Sequence, residues 1–403
     1  MSFAAQITNT QFLQFEGLSG PVRLERAAQV GEGLRRVLHG WPHQKTTKAR
    51  AEPVSTVTRD GATFTVASPW LDEPFQNLPA ASAVCAVLAD ISEAFFDARP
   101  GLPVLHCGAF ETGGRLIALT GHAHAGKSTL MARITAETDL ITYCDDILPL
   151  DADGNGMALG AAPRLRLPLP ATVSGVFRAH VGTYRGPHDD EYCYVCAPTV
   201  AAHGRRAPLA ALIVLDRRAD APAALHEVSQ EETIHHLLTQ NMGEFATAGQ
   251  GYAHARDLAE RLICLRLVYS DLEDAVALLR RAFVGHEGVN TAVEIRAALP
   301  PLEEPLQDAA PADPATVFTR APKVALRRQG EALFLWQHGG ATLFRLNTVA
   351  AAIWALLEIP GNAHDLVEVL AEAFPDQDYA RLTGDVTALL GTLQDEGLIR
   401  AMA

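Results

Sequence analysis

Several things are scarce in this chain, and each scarcity removes a class of protein. No apolar run reaches the roughly 18–20 residues that a membrane-spanning helix needs. The first residues, Met1 to Gln6, lack the basic start and long apolar core of a secretory signal. The expected location is therefore the cytoplasm, with no membrane partner. Positive charge is in deficit: 33 Lys and Arg stand against 47 Asp and Glu, a formal net charge of −14. Broad nucleic-acid binding depends on basic surface, so no nucleic-acid partner is expected. Six cysteines in 403 residues is far below the density of a disulfide scaffold. Cys193 and Cys196 have metal or redox spacing, but no second pair accompanies them, and an apolar strand position is the simpler reading. Long repeats and extended low-complexity tracts are also missing.

What is present is a folded composition, 48% apolar and 20% charged. A chain of 403 residues exceeds one ordinary core, so two or three domains are expected. The most informative stretch is Gly121 to Thr129, which reads G-x-x-x-x-G-K-S-T. Gly121 and Gly126 let backbone N–H groups curl around phosphate oxygens, Lys127 reaches the β/γ-phosphates, and the Ser128 hydroxyl can ligate Mg²⁺. Such a pattern also occurs by chance in glycine-containing turns. Here the apolar run Arg115–Thr120 before it suits a buried strand, and Thr129–Thr135 after it suits a helix facing the anion.

Downstream, the β-rich run Leu140–Cys144 ends in Asp145-Asp146. Beside a phosphate site, one carboxylate can hold Mg²⁺ and the other can accept a proton from an attacking hydroxyl. Alone the pair would read as a solvated turn, but placed one crossover unit after the phosphate loop the functional reading is the stronger. Next comes Pro163-Arg164-Leu165-Arg166, where the two guanidinium groups share a strand face. They either hold substrate phosphate or pair with surface acids.

The order of these parts is similar to the bacterial HPr serine kinase/phosphorylase catalytic domain and its relatives. His106 precedes the phosphate-loop strand, the Asp pair follows the helix, and the Arg-containing strand comes after. The resemblance spans roughly residues 60–290 and is clearest over 104–170. It implies a phosphoenolpyruvate-carboxykinase-like P-loop α/β fold using ATP and Mg²⁺. It also implies that His106 and Asp145 assist proton transfer and that Asp146 serves the metal. The ATP-binding set is then Gly121, Gly126, Lys127, Ser128 and Thr129, with Ser128 and Asp146 on the metal. Two departures stand out. His124 occupies a place usually held by glycine, so His122 and His124 either touch phosphate or fill the loop's outer face. The family's Gly-rich substrate signature is replaced by the polar stretch Tyr184–Tyr192, which puts HPr itself in doubt as the substrate.

The C-terminus carries a second pattern. Three short alternating runs separated by Gly-containing turns, from Lys323 to Leu346, read as a small antiparallel sheet. Asn347 or Thr348 then caps a helix ending near Glu358, with further helices expected over His364–Phe374 and Tyr379–Glu396. The Leu346-Asn347 helix start and the terminal Glu396-Gly397-Leu398-Ile399 resemble the PqqD-like winged-helix domain, a recognition element for ribosomally synthesised, modified peptides. That resemblance covers 318–403. It implies that a precursor's leader peptide adds as a strand at 341–346 and packs on helix 379–394.

The expected organisation has an irregular lead-in over 1–100 packed on a catalytic domain at 101–298. A proline-rich linker follows at 299–317, then the winged-helix α+β domain at 318–403. Within the lead-in, strands are expected around Arg59-Asp60-Gly61 and a helix over Ala80–Arg99. The expected activity is phosphoryl transfer from ATP to a serine hydroxyl of a precursor peptide, in a chain compatible with a homo-oligomer. The alternatives are a small-molecule or free-serine kinase, an enzyme that phosphorylates and eliminates to dehydroalanine, and a non-catalytic peptide chaperone.

Overall fold

The computed structural model describes residues 10–122, 125–302, 310–340, 342–373 and 378–402. Of the positions invoked above, Met1 to Gln6, His124, residue 341, Phe374 and part of the linker at 299–317 lie outside the described residues. The chain forms two compact units. The first comprises Met1–Glu227, Gln240–Glu244 and Leu262–Ala297; the second comprises Val228–Thr239, Phe245–Arg261 and Ala298–Ala403.

The first unit is built on an eight-stranded mixed sheet. Its order is Ile141–Cys144, Gly108–Thr112, Arg115–Thr120, Arg206–Arg217, Ile263–Tyr269, Ala224–Glu227 and Ile295–Arg296, with Asn155–Met157 pairing alongside Arg206–Arg217. The long central strand Arg206–Arg217 runs parallel to Arg115–Thr120 on one side and to Ile263–Tyr269 on the other. Its burial alternates at first, then Ala211–Asp216 is buried without a break. Continuous burial is what parallel strands covered on both faces require. Helices Lys127–Ile134 and Leu272–Phe283 supply Leu130, Met131, Val276 and Leu279 to a core shared with Ile117, Leu119, Ile213 and Leu267. Asp271 starts the second helix by accepting the N–H groups of Glu273 at 2.8 Å and Asp274 at 3.0 Å.

Residues 10–97 are more regular than an irregular lead-in. They form a six-stranded sheet in the order 43–46, 10–15, 22–25, 55–60, 63–67, 75–78. The expected strands flank a turn at Gly61, where φ is +59°, and the expected helix runs Ala80–Asp97. A further helix, Ala28–Val37, packs with it in a core around Phe15, Trp41, Val57 and Phe95.

In the second unit, Val324–Gln329, Ala332–Gln337 and Phe344–Leu346 form a three-stranded antiparallel sheet in that order. Helices Thr348–Leu356, Ala363–Ala373 and Tyr379–Asp395 follow, and Phe318–Arg320 pairs with Ile399–Ala401. Asn347 is the cap, its Oδ1 accepting the Ala350 N–H at 2.9 Å. The middle strand departs from the expected alternation, because Ala332–Trp336 is buried throughout. Leu333 and Leu335 face the helices. On the other face, Phe334 and Trp336 pack on Tyr252, with ring centroids 5.2 and 5.4 Å apart. Tyr252 belongs to helix Ala248–Ala259, which the sequence places between strands of the first unit. Residues 228–239 and 245–261 therefore group with 298–403, whereas a linear division assigns them to 101–298.

Candidate active site

Two strand corners build the site. Val104–His106 and Gly108–Thr112 meet at Cys107, and Ile141–Cys144 and Ile147–Pro149 meet at Asp145-Asp146. The outer strands pair with each other, with His106 opposite Ile147, and the inner strands pair in the main sheet, with Ala109 opposite Cys144. Because both partners turn together, the corners stay adjacent. The Cys144 thiol bonds the Cys107 carbonyl at 3.3 Å across them. Tyr143 anchors the approach: its hydroxyl donates to Glu111 at 2.7 Å, and Arg205 grips the same carboxylate at 2.7 and 2.8 Å.

The corners and the start of the helix Lys127–Ile134 bring three side chains to one place. His106 Nε2 lies 2.9 Å from Asp146 Oδ1, and Lys127 Nζ lies 3.9 Å from the same oxygen. The hydrogen bond with His106 holds Asp146 below the ordinary carboxylate range, and the Lys127 charge adds to it. Asp145 behaves oppositely. Burial pushes its carboxyl up to about 6, while the backbone N–H of Arg164, donating to Oδ2 at 2.9 Å, works against the rise. Two neighbouring carboxylates with divergent proton affinities suit different tasks. Asp146 is fitted to stay charged, and Asp145 to take up a proton near neutral pH.

The described residues of the glycine-flanked segment, Gly121, His122, Ala125 and Gly126, follow the carboxyl end of the strand Arg115–Thr120, the end of an open α/β sheet at which ligands bind. Gly126 has φ +90°, and its carbonyl opens the helix by accepting Leu130 N at 2.9 Å. Lys127 Nζ is buried with no hydrogen-bond partner among the described residues. Ser128 is exposed on the first turn, and Thr129 is half-buried behind it. The helix is held from its far end by Arg133, which bonds Glu273 at 2.6–3.1 Å and Glu137 at 2.7 Å.

Two of the expected site residues make contacts that the sequence did not specify. His106 is bonded to Asp146, the expected metal residue, and not to Asp145. Arg164 reaches the site through its backbone N–H, while its guanidinium lies 4.6 Å over the Tyr192 ring and against the Cys85 thiol. Arg166 is exposed on the same strand, Arg164–Arg166. Two neighbours of the loop escaped sequence reasoning. Tyr269 donates its hydroxyl to the Ala125 carbonyl at 2.6 Å. Arg217 is its cross-strand partner and approaches Gly126. Nothing local in the sequence marks either, because only strand order brings them to the loop.

None of the six cysteines is joined in a disulfide, and Cys193 is buried in the strand Tyr192–Val195. Among the described residues no group of three or more His, Cys, Asp and Glu could hold a metal ion. Among them, too, no helix is long and apolar enough to cross a membrane.

Residues 333–399 match the family of coenzyme PQQ synthesis protein D (PqqD). No curated protein matches the chain. Three solved structures are similar in part. TbiB1 in complex with the TbiA(beta) leader peptide is 21% identical over 21% of this chain and 98% of its own, with a TM-score of 0.20. The PqqD truncation of Methylobacterium extorquens PqqCD, described as a stand-alone RiPP recognition element, is 19% identical over 22% of this chain and 94% of its own, TM-score 0.20. The Hpr(Ser) kinase/phosphatase from Coxiella burnetii is 11% identical over 43% of this chain and 90% of its own, TM-score 0.22. Family membership of the segment 333–399 rests on the PqqD match.

Proposed function

We propose that this chain is an ATP-dependent kinase that phosphorylates a serine hydroxyl of a ribosomally synthesised precursor peptide, whose leader is held by the PqqD-family segment. The observation that carries the catalytic half is the buried Lys127 ammonium at a glycine-flanked helix start, without a hydrogen-bond partner among the described residues and 3.9 Å from Asp146. A buried ammonium with no hydrogen-bond acceptor and one exposed carboxylate at 3.9 Å suits the binding of an anion. The peptide half is supported by the match at 333–399.

In this reading Lys127 and the free N–H groups of the first helical turn hold the nucleotide phosphates. Ser128 and Asp146 would hold Mg²⁺, which supplies charge neutralisation at the phosphates when bound. His106 fixes the Asp146 carboxylate by its 2.9 Å contact. Asp145 takes the proton from the attacking hydroxyl, and the Arg164 N–H keeps that carboxylate oriented. Catalysis is then mainly positioning and charge stabilisation. Leader binding raises the local concentration of the acceptor segment, so specificity needs few contacts at the acceptor itself.

The test is initial rate against peptide concentration, with ATP and Mg²⁺, for a precursor with and without its leader. The leader should matter most at low concentration, and the leaderless peptide should recover at high concentration. Equal curves would reject leader recognition and favour a small-molecule acceptor.

A further inference from the structure

We infer that Tyr269 is a positioning residue for the nucleotide site, aiming a phosphate-loop N–H at the anion. The inference rests on the kinase reading above and adds a residue to it. Tyr269 ends the strand Ile263–Tyr269, and its ring is almost fully buried at 2% exposure. Its hydroxyl donates to the carbonyl of Ala125 at 2.6 Å. That carbonyl and the N–H of Gly126 belong to one peptide plane, and in a trans peptide they point in opposite directions. Fixing the carbonyl on Tyr269 therefore turns the Gly126 N–H away from the protein wall. Among the described residues this N–H has no hydrogen-bond partner. It stands immediately before Lys127, whose buried Nζ likewise lacks a hydrogen-bond partner among the described residues.

The same contact explains why residue 126 is glycine. A Cβ there would lie 2.6 Å from the Tyr269 hydroxyl, closer than any real Cβ contact, at a φ of +90° that side chains resist. The hydroxyl cannot swing aside, because the ring belongs to the core beneath the loop. Burial raises the phenol to about 12, so it remains a donor across the working pH range. Tyr269 touches no reacting atom in this arrangement. It acts by presetting a donor that would otherwise have to be ordered when the nucleotide binds.

The experiment measures ADP binding with Mg²⁺ by calorimetry on the full chain, alongside melting temperature and ATP kinetics. Tyr269→Phe removes one oxygen and keeps the ring. The expected result is about a tenfold rise in Kd and in KM for ATP, with kcat and melting temperature little changed. A structural role alone would move the melting temperature and leave the KM-to-kcat split untouched. Gly126→Ala should cost more affinity in the parent than in the Tyr269→Phe background, because the clash is with the removed hydroxyl. Parent-like affinity in Tyr269→Phe, or equal Gly126→Ala effects in both backgrounds, overturns the inference. If Tyr269→Phe fails to fold, Gly126→Ala in the parent decides: undiminished affinity overturns it, and a loss at unchanged melting temperature supports it. A parent protein that binds no nucleotide refutes the kinase reading itself, a result distinguishable from either of these.

Discussion

Replacing Lys127 by methionine should move stability and binding in opposite directions. The Lys127 side chain is only 13% exposed, and its Nζ has no hydrogen bond among the described residues. Its recorded ion-pair partner, Asp146 Oδ1, is 3.9 Å away on a side chain that is 64% exposed. At that distance a pair gains about 4 kcal/mol in a medium of effective dielectric 20, and about 1 kcal/mol in water. The exposure of Asp146 places this pair toward the lower figure. Removing an ammonium from water costs several kcal/mol even after relaxation. In the proposed reading, the part of this cost that Asp146 does not offset is relieved when an anion binds. Lys127→Met keeps the apolar stem and drops the charge, so the nucleotide-free protein should gain about 1–2 kcal/mol. For a chain of this size that is a rise of roughly 1–2 °C in melting temperature. Nucleotide binding should fall by roughly 2–5 kcal/mol, about thirtyfold to several thousandfold, because a buried charge pair loses one partner. Thermal denaturation with and without ADP and Mg²⁺, plus calorimetry, reads both effects. A variant that melts lower than the parent and binds ADP as tightly would refute the reasoning.

Three further outcomes are expected. Asp145→Asn should retain nucleotide affinity and lose phosphoryl transfer by at least about a hundredfold, the usual scale for a lost general base; a parent-like kcat would remove Asp145 from the chemistry. Asp90 is 4% exposed, and burial raises its carboxyl above the ordinary 3.8, partly countered by the hydroxyls of Ser55 and Ser68. The folded state then holds a proton that the unfolded state releases, so this group's contribution falls as pH rises from 3.8 through the raised value. Asp90→Asn should melt above the parent at pH 7, with the gap closing toward pH 4, and a lower melting temperature at pH 7 would contradict this. Tyr252→Ala should destabilise the second unit by about 3 kcal/mol, because it empties the space against Phe334 and Trp336; denaturation followed by tryptophan fluorescence checks it.

The site was legible where its residues are contiguous. Gly121 to Thr129 declare themselves because each position has a separate physical task, and Asp145-Asp146 because a strand end next to a phosphate loop limits their uses. What adjacency could not give was pairing. That His106 holds Asp146 follows from two strands turning corners together, and register of that kind leaves no local trace. Arg164 was read for its guanidinium, but its backbone carries the contact. Tyr269 looks like one more buried aromatic until strand order puts it under the loop. The run Ala332–Trp336 misled for a related reason. Its alternation is masked because helix Ala248–Ala259 covers its second face, and that helix lies about eighty residues away in sequence. This arrangement also changes how leader recognition should be tested. A cut at 318 would strip the sheet from Tyr252 and leave an apolar helix face open, so intact protein with altered peptides is the cleaner comparison.

The central claim is transfer of a phosphoryl group to a peptide hydroxyl. Its most direct test is intact-mass and fragmentation analysis of a leader-bearing precursor peptide after incubation with the full chain, ATP and Mg²⁺. The expected product is heavier by one phosphoryl group, localised to a serine, and absent with Lys127→Met. A product lighter by one water would point to elimination, and ATP left intact with the peptide unchanged would contradict the account.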